Sequence, residues 1–138
     1  MNWFKGGALI ALAVLLSGCV GAPNVRGKPV PTAFFVFFDQ GSAEPMADSA
    51  AVFDEAAAFL TQYDNTSVRI VGHVSADESV ADLDKRRASR AAEELVKRGA
   101  QAARMQLVGA GSAESVSGAT EGGDASVDRR VELLFNAM

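Results

Sequence analysis

The segment from Leu83 to Gly99 constrains the fold most, because it is an amphipathic helix whose C-terminal end is marked in the sequence. Small and aliphatic residues recur on one side at helical spacing, and charged residues occupy the opposite side. Lys97 and Arg98 complement the negative end of the helix dipole, and Gly99 stands where a left-handed cap is usually needed. The pattern predicts a helix that ends at about Gly99 and packs one face against a core.

A strand and a polar loop lead into this helix. Residues Val68 to Val74 are predominantly apolar and β-branched, which predicts a buried strand. The loop from Ser75 to about Val80 then brings the chain to the basic start of the helix. A corner of this kind, with arginines beside a helix start, can hold an anionic group.

The first residues predict export and lipidation. Lys5 precedes an apolar run from Gly6 to Leu16 that is shorter than the roughly 20 residues needed to span a bilayer. The run ends in Leu-Ser-Gly-Cys, which resembles the bacterial lipobox. Cys19 is the only cysteine in the chain, so it cannot form an internal disulfide, whereas lipidation would account for it. The alternative is a general secretory signal with an incidental cysteine.

We therefore divide the chain into three parts. Residues 1–18 are predicted to be a cleaved lipoprotein signal peptide. Residues 19–32, rich in Gly and Pro, are predicted to be the lipidated N-terminus and a flexible tether. Residues 33–138 are predicted to form one domain. Val20 follows the cysteine where an Asp would indicate inner-membrane retention, which favours the outer membrane, with the domain facing the periplasm.

The remaining elements alternate between strands and helices. Ala33 to Phe38 is uniformly apolar, which predicts a central strand covered on both faces. The other predicted elements are a helix over Met46 to Tyr63, strands over Met105 to Gly109 and Arg129 to Phe135, and a long loop over Ala110 to Asp128. The order β-α-β-α-β-β predicts an α/β (α+β) two-layer sandwich.

Composition argues against several classes of function. The formal net charge is −4, which disfavours general nucleic-acid binding. One histidine and a lipidated cysteine leave only carboxylates as metal ligands, so neither a metal nor a cofactor is expected. Ser75 near His73 suggests a nucleophile and a base, but no Gly-x-Ser-x-Gly motif or phosphate loop is present. We therefore expect a protein that is not an enzyme.

Several short motifs, in order, resemble the OmpA-like peptidoglycan-binding domain. Together they cover nearly all of the chain after the predicted tether. The motifs are Phe38-Asp39 with Ser42 following, Val68 to His73, Leu83 to Ala88, Gly109 to Glu114, and Asp128 to Leu133.

The resemblance implies a ligand and the residues that bind it. Members of this family bind the stem peptide of peptidoglycan through the carboxylate and amine of diaminopimelate. Arg87 matches the arginine that grips the carboxylate, and an Arg fork suits that role; the alternative is a solvated helix charge. Val74-Ser75 stands where the family has Thr-Asp, in a shortened loop. Either Asp77 or Ser75 is therefore the candidate for the amine.

Three further residues are candidates by the same resemblance. His73 ends the buried strand, either as a structural histidine or as a ligand contact. Asp39 is expected to shape the turn beside the site. Arg129 matches the first arginine of the closing motif, and pairing with Asp128 is its alternative.

The sequence thus predicts a non-enzymatic outer-membrane lipoprotein that binds diaminopimelate-containing stem peptide and tethers the outer membrane to the cell wall. The alternative is a structural or assembly lipoprotein that keeps the fold, has weakened or lost peptidoglycan binding, and acts through envelope protein partners.

Overall fold

The computed structural model describes residues 33–116 and 124–138. Its elements are β1 (Ala33–Phe37), α1 (Ser49–Gln62), β2 (Thr66–His73), α2 (Leu83–Lys97), β3 (Met105–Gly111) and β4 (Arg130–Ala137). The predicted order β-α-β-α-β-β is confirmed. The predicted signal peptide, Cys19 and the tether lie outside the described residues. Within the described ranges, no helix is both long enough and apolar enough to cross a membrane.

The four strands form one sheet in the order β1-β4-β2-β3. The last strand, β4, lies between β1 and β2 and is antiparallel to both. The pair β2 and β3 is parallel, and α2 lies between them in the chain. Parallel neighbours need such a crossover, so the strong helix of the sequence makes the connection that this sheet requires.

The prediction that the first strand is central was wrong. β1 is an edge strand, and among the described strands it pairs with β4 alone. Val36 is fully buried, whereas Phe35 and Phe37 are 47% and 39% exposed. Side chains alternate between the two faces of a strand, so only one face of β1 packs against the core. Aromatic residues have high β-propensity on either face, so the run did not reveal this.

Both helices pack on one face of the sheet. The core joins Val36, Ile70 and Leu133 of the sheet to Phe53 of α1 and Leu95 of α2, all nearly free of solvent. Phe34, Phe59 and Phe135 extend the core through edge-to-face ring contacts. The result is the predicted two-layer sandwich.

The predicted end of α2 is confirmed. Gly99 has φ +93°, its N–H donates to Val96 O, and the N–H of Ala100 donates to Leu95 O. These two bonds form a Schellman cap, in which glycine avoids the strain of a left-handed backbone.

The opposite end of α2 lies very close to the sheet. A Cβ at Gly72 would overlap the backbone carbonyl of Asp84 and would meet the N–H of Ala88 at 3.3 Å. Only a residue without a side chain allows this approach. Gly72 therefore sets the position of the first turn of α2 against β2.

We predict that Gly72→Ala destabilises the domain by about 3 kcal/mol or more, because the methyl group would push α2 from the sheet. Gly109→Ala is the matched control. There the nearest atoms are Asp84 Oδ2 and Lys85 Cγ, both at 2.6 Å and both in side chains. The methyl group would disturb the hydrogen bond from Gly111 N to Asp84 but would not meet the helix backbone, so the loss should be smaller. Urea denaturation of both variants checks this, and equal losses would contradict it.

Candidate functional site

Arg87 lies at the corner between β2 and α2, and its side chain is 0% exposed. All five of its N–H groups donate hydrogen bonds. Nε donates to Ser42 O at 2.9 Å, Nη1 to His73 O at 2.9 Å, and Nη2 to Asp39 O at 3.1 Å. The remaining two donate to Glu78. The guanidinium therefore joins three separate segments of the chain.

The contact with Glu78 is a bidentate ion pair. Nη1 lies 2.8 Å from Glu78 Oε2, and Nη2 lies 2.6 Å from Oε1. The Glu78 side chain is 1% exposed. This is the fork geometry by which arginine recognises a carboxylate. Arg87 is thus a carboxylate-binding residue in this structure, and the carboxylate that it holds is internal.

Two backbone N–H groups complete the surroundings of that carboxylate. Gly41 N donates to Glu78 Oε1 at 2.8 Å, and Ser75 N donates to Oε2 at 2.9 Å. Each carboxylate oxygen therefore accepts two hydrogen bonds. We call the Arg87 fork and the N–H groups of Gly41 and Ser75 the carboxylate receptor.

The receptor keeps Glu78 ionised. Burial by itself would raise the pKa of Glu78, but the hydrogen bonds from Arg87, Gly41 and Ser75 outweigh it and lower the pKa from 4.5 to about 2. Glu78 is therefore a charged group at any pH at which the domain would normally work.

Four of the site residues predicted from the sequence lie at this corner, some through their backbone and some through their side chains. Asp39 and His73 contribute their backbone carbonyls to Arg87. Ser75 is fully buried, and its hydroxyl donates to Asp77 Oδ1. Asp77 is exposed and accepts from Gln40 Nε2 at 2.9 Å. Asp77 thus lies at the rim, beside the turn that also supplies Gly41.

The His73 ring points away from the receptor. It is 1% exposed, with Nε2 at 3.4 Å from Glu132 Oε1 and 4.0 Å from Glu114 Oε2. Burial lowers the pKa of His73, and the positive charge of Arg130 lowers it further. The negative charge of Glu132 acts in the opposite direction but is outweighed. The ring is therefore neutral at neutral pH, and His73 reaches the receptor only through its carbonyl.

Arg129 lies next to the end of β1. Its carbonyl accepts from Phe38 N at 2.9 Å, and its buried Nε finds no hydrogen-bond partner among the described residues. Asp128 is 3.6 Å from Arg130 Nη1 and also accepts from Ser115 and Val116.

Sequence reasoning missed Glu78. The signal was present, since an acidic residue lies in the loop nine positions before Arg87, but an exposed loop carboxylate was the ordinary expectation. It also missed the part played by backbone groups of Gly41 and Ser42, which no side-chain pattern reveals. Over residues 33–116 and 124–138, no group of three or more His, Cys, Asp or Glu side chains is arranged to hold a metal ion.

Taken together, the fold and the corner define a small α+β domain with a buried, arginine-based carboxylate receptor. Residues 37–129 match the model of the OmpA family. Because this match covers well over half of the chain, the chain belongs to the OmpA family.

One curated relative and several solved structures are similar. The chain is 36% identical over 104 residues to outer membrane porin F of Pseudomonas fluorescens, covering 72% of this chain and 31% of the porin. It thus spans about a third of that relative. The fold resembles the peptidoglycan-associated lipoprotein of Burkholderia pseudomallei, with a TM-score of 0.68, 21% identity, and coverage of 74% of this chain and 89% of that one.

A second structural relative is the periplasmic domain of MotB from Helicobacter pylori. Its TM-score is 0.65 at 15% identity, with coverage of 76% of this chain and 81% of that one. At these identities the likeness establishes the fold.

We predict that the stability of the domain falls as the pH drops from about 4.5 towards 2, and that Glu78→Gln removes part of this fall. A carboxyl group whose folded-state pKa is lowered stabilises the fold above its unfolded-state pKa, and that contribution is lost as the pH falls through the folded-state value. Urea denaturation at pH 6 and pH 3 checks this. Glu94, whose pKa is also about 2, contributes equally in both proteins. An equally steep fall in both would contradict the assignment.

Proposed function

We propose that this chain is a non-enzymatic outer-membrane lipoprotein whose domain binds the diaminopimelate-containing stem peptide of peptidoglycan and tethers the membrane to the cell wall. The observation that carries the proposal is the carboxylate receptor. Its fork and two N–H groups match the carboxylate of such a peptide, and family membership supports the same ligand class.

The rim of the site suits the other half of the ligand. Diaminopimelate carries an ammonium group near its carboxylate, and an ammonium is best received by an exposed carboxylate. Asp77 is exposed, and Ser75 lies directly beneath it, donating to its Oδ1. We assign the amine to Asp77, with Ser75 holding that carboxylate in place.

The anchor is the second part of the proposal. The lipobox-like segment ends in Cys19, and a short Gly- and Pro-containing stretch separates it from β1 at Ala33. Several acyl chains on one residue anchor a protein stably, whereas one alone does so weakly. The names of two relatives, outer membrane porin F and the peptidoglycan-associated lipoprotein, favour the same location.

A second candidate function is favoured by one observation. Glu78 already fills the carboxylate receptor, and Ser75 provides no charge at the position of the family aspartate. A domain in this condition would bind peptidoglycan weakly or not at all. It would then act as an assembly lipoprotein through envelope protein partners.

We predict that the full chain, solubilised in detergent, sediments with purified sacculi and is released by soluble diaminopimelate-containing stem peptide. Arg87→Lys should weaken this binding by about tenfold or more, because the charge remains but the bidentate fork is lost. Arg87→Ala is less suitable, since it would leave the Glu78 carboxylate buried and unpaired at about 3–5 kcal/mol.

The matched control is Arg90→Lys, on the next turn of α2, where the guanidinium pairs with Glu44 and Glu94 at the surface. Circular dichroism confirms that each variant is folded. A folded wild-type chain that does not sediment would contradict the proposal and favour the second candidate.

We further predict that the chain, expressed in a bacterium fed an alkyne analogue of palmitate, is labelled and shortened by removal of residues 1–18. Cys19→Ser keeps the apolar run but removes the thiol, so label and processing should both be lost. Labelling that persists in Cys19→Ser would overturn the lipid anchor.

A further inference from the structure

We propose that Glu78 is an internal ligand that competes with the peptide for the carboxylate receptor, so that the site is closed until Glu78 is displaced. The inference rests on the proposed function, since it describes how that same site is regulated. The alternative reading of Glu78 is that it forms the acidic arm of the site and itself receives the amine of the ligand. The two readings predict opposite effects of removing it.

The hydrogen-bonding groups of Arg87 and Glu78 are saturated by each other and by the backbone. The five N–H groups of Arg87 are all donated, two of them to Glu78, and each oxygen of Glu78 accepts two hydrogen bonds. An external carboxylate therefore finds no free donor on Arg87. An external ammonium likewise finds no free acceptor on Glu78. The pair must open before either group can take part in binding.

Opening of the pair would expose little apolar surface. Of the loop that carries Glu78, residues 76, 77 and 79–82 are all exposed. Ser75 and the Glu78 carboxylate are its buried polar groups, and no member of the hydrophobic core lies in it. Glu78 can therefore leave without exposing the core.

The backbone at the end of this loop has an uncommon conformation. Asp82 has φ +54° and is the only residue other than glycine with a positive φ among residues 33–116 and 124–138. It directly precedes α2, whose first turn is fixed against Gly72. The loop thus joins a rigid helix at a residue in an uncommon conformation. A change of φ and ψ there moves the adjoining part of the loop, from Glu78 onwards, and leaves both the helix and the residues before Glu78 in place.

Displacement is an exchange of one carboxylate for another. Arg87 and the N–H groups of Gly41 and Ser75 would make the same hydrogen bonds to the ligand as to Glu78. Glu78 is tethered to the receptor by the chain, so its effective concentration there is high. A ligand that offers only a carboxylate makes no additional contact and therefore competes poorly with Glu78. A ligand with a second group for Asp77 gains that contact in addition. Glu78 would thus make the site selective for ligands that offer more than a carboxylate.

The test compares the wild-type chain with Glu78→Ala in two measurements. In the first, calorimetry measures binding of diaminopimelate-containing muropeptide to the full chain in detergent. If the open form of the wild type is populated below about one part in ten, Glu78→Ala should bind about tenfold or more tightly, because the apparent affinity scales with the open fraction. In the second, melting temperature is followed against sodium acetate, with sodium chloride at equal ionic strength as the reference.

Acetate is the probe for the vacated receptor. It should raise the melting temperature of Glu78→Ala in a saturable manner and leave the wild type unchanged. Glu94→Ala is the matched control, since it removes a carboxylate held by Arg90 and Arg98 two turns further along α2. It should show neither acetate stabilisation nor tighter muropeptide binding. Where Glu78→Ala does not fold, Glu78→Gln, which keeps the shape but removes the charge that holds the pair closed, replaces it in the muropeptide measurement alone.

The outcomes separate the two proposals. Tighter muropeptide binding together with acetate stabilisation supports the internal ligand. Unchanged or weaker muropeptide binding by the variant, with a wild type that binds, overturns the internal ligand and leaves the proposed function standing. Acetate stabilisation without muropeptide binding by either protein supports the internal ligand in the receptor and overturns the proposed function.

Discussion

The structure depends on a buried guanidinium. Removing an arginine side chain from water carries a desolvation penalty of several kcal/mol, so Arg87 is tolerable only with acceptors for all its N–H groups. Those acceptors come from the turn after β1, the end of β2 and the loop before α2. The same interaction therefore holds three segments in register and forms the receptor. Under the proposed function, stability and recognition therefore depend on the same residue.

The acidic charge of the corner lies where the family pattern did not predict it. Ser75, where the resemblance placed the family aspartate, supplies a backbone N–H and a hydroxyl, and the buried carboxylate is that of Glu78, three residues further along. The Glu78 carboxylate lies against Arg87, while Asp77 remains at the rim. The loop thus carries one acid that faces inward and one that faces outward.

The sequence was informative where one residue has one physical role. Gly99 predicted the left-handed cap at the C-terminal end of α2, and the helical spacing of apolar residues predicted α2 itself. Prediction from the sequence failed where the role of a residue depends on distant partners. β1 was predicted to be central because Phe35 and Phe37 favour strands whether they are buried or exposed. Glu78 was missed because its carboxylate becomes buried only when the fold brings the N–H of Gly41, 37 residues earlier in the chain, and the guanidinium of Arg87 to it together.

The edge position of β1 has a mechanical consequence under the proposed function. The predicted anchor precedes β1 at Ala33, and the receptor begins just beyond its other end, at Asp39 and Gly41. Tension between membrane and wall would therefore run along β1. Its hydrogen bonds to β4, over five registered residue pairs, lie across that direction. They would resist together in shear rather than open one after another by peeling, so an edge strand would serve as a strong point of attachment.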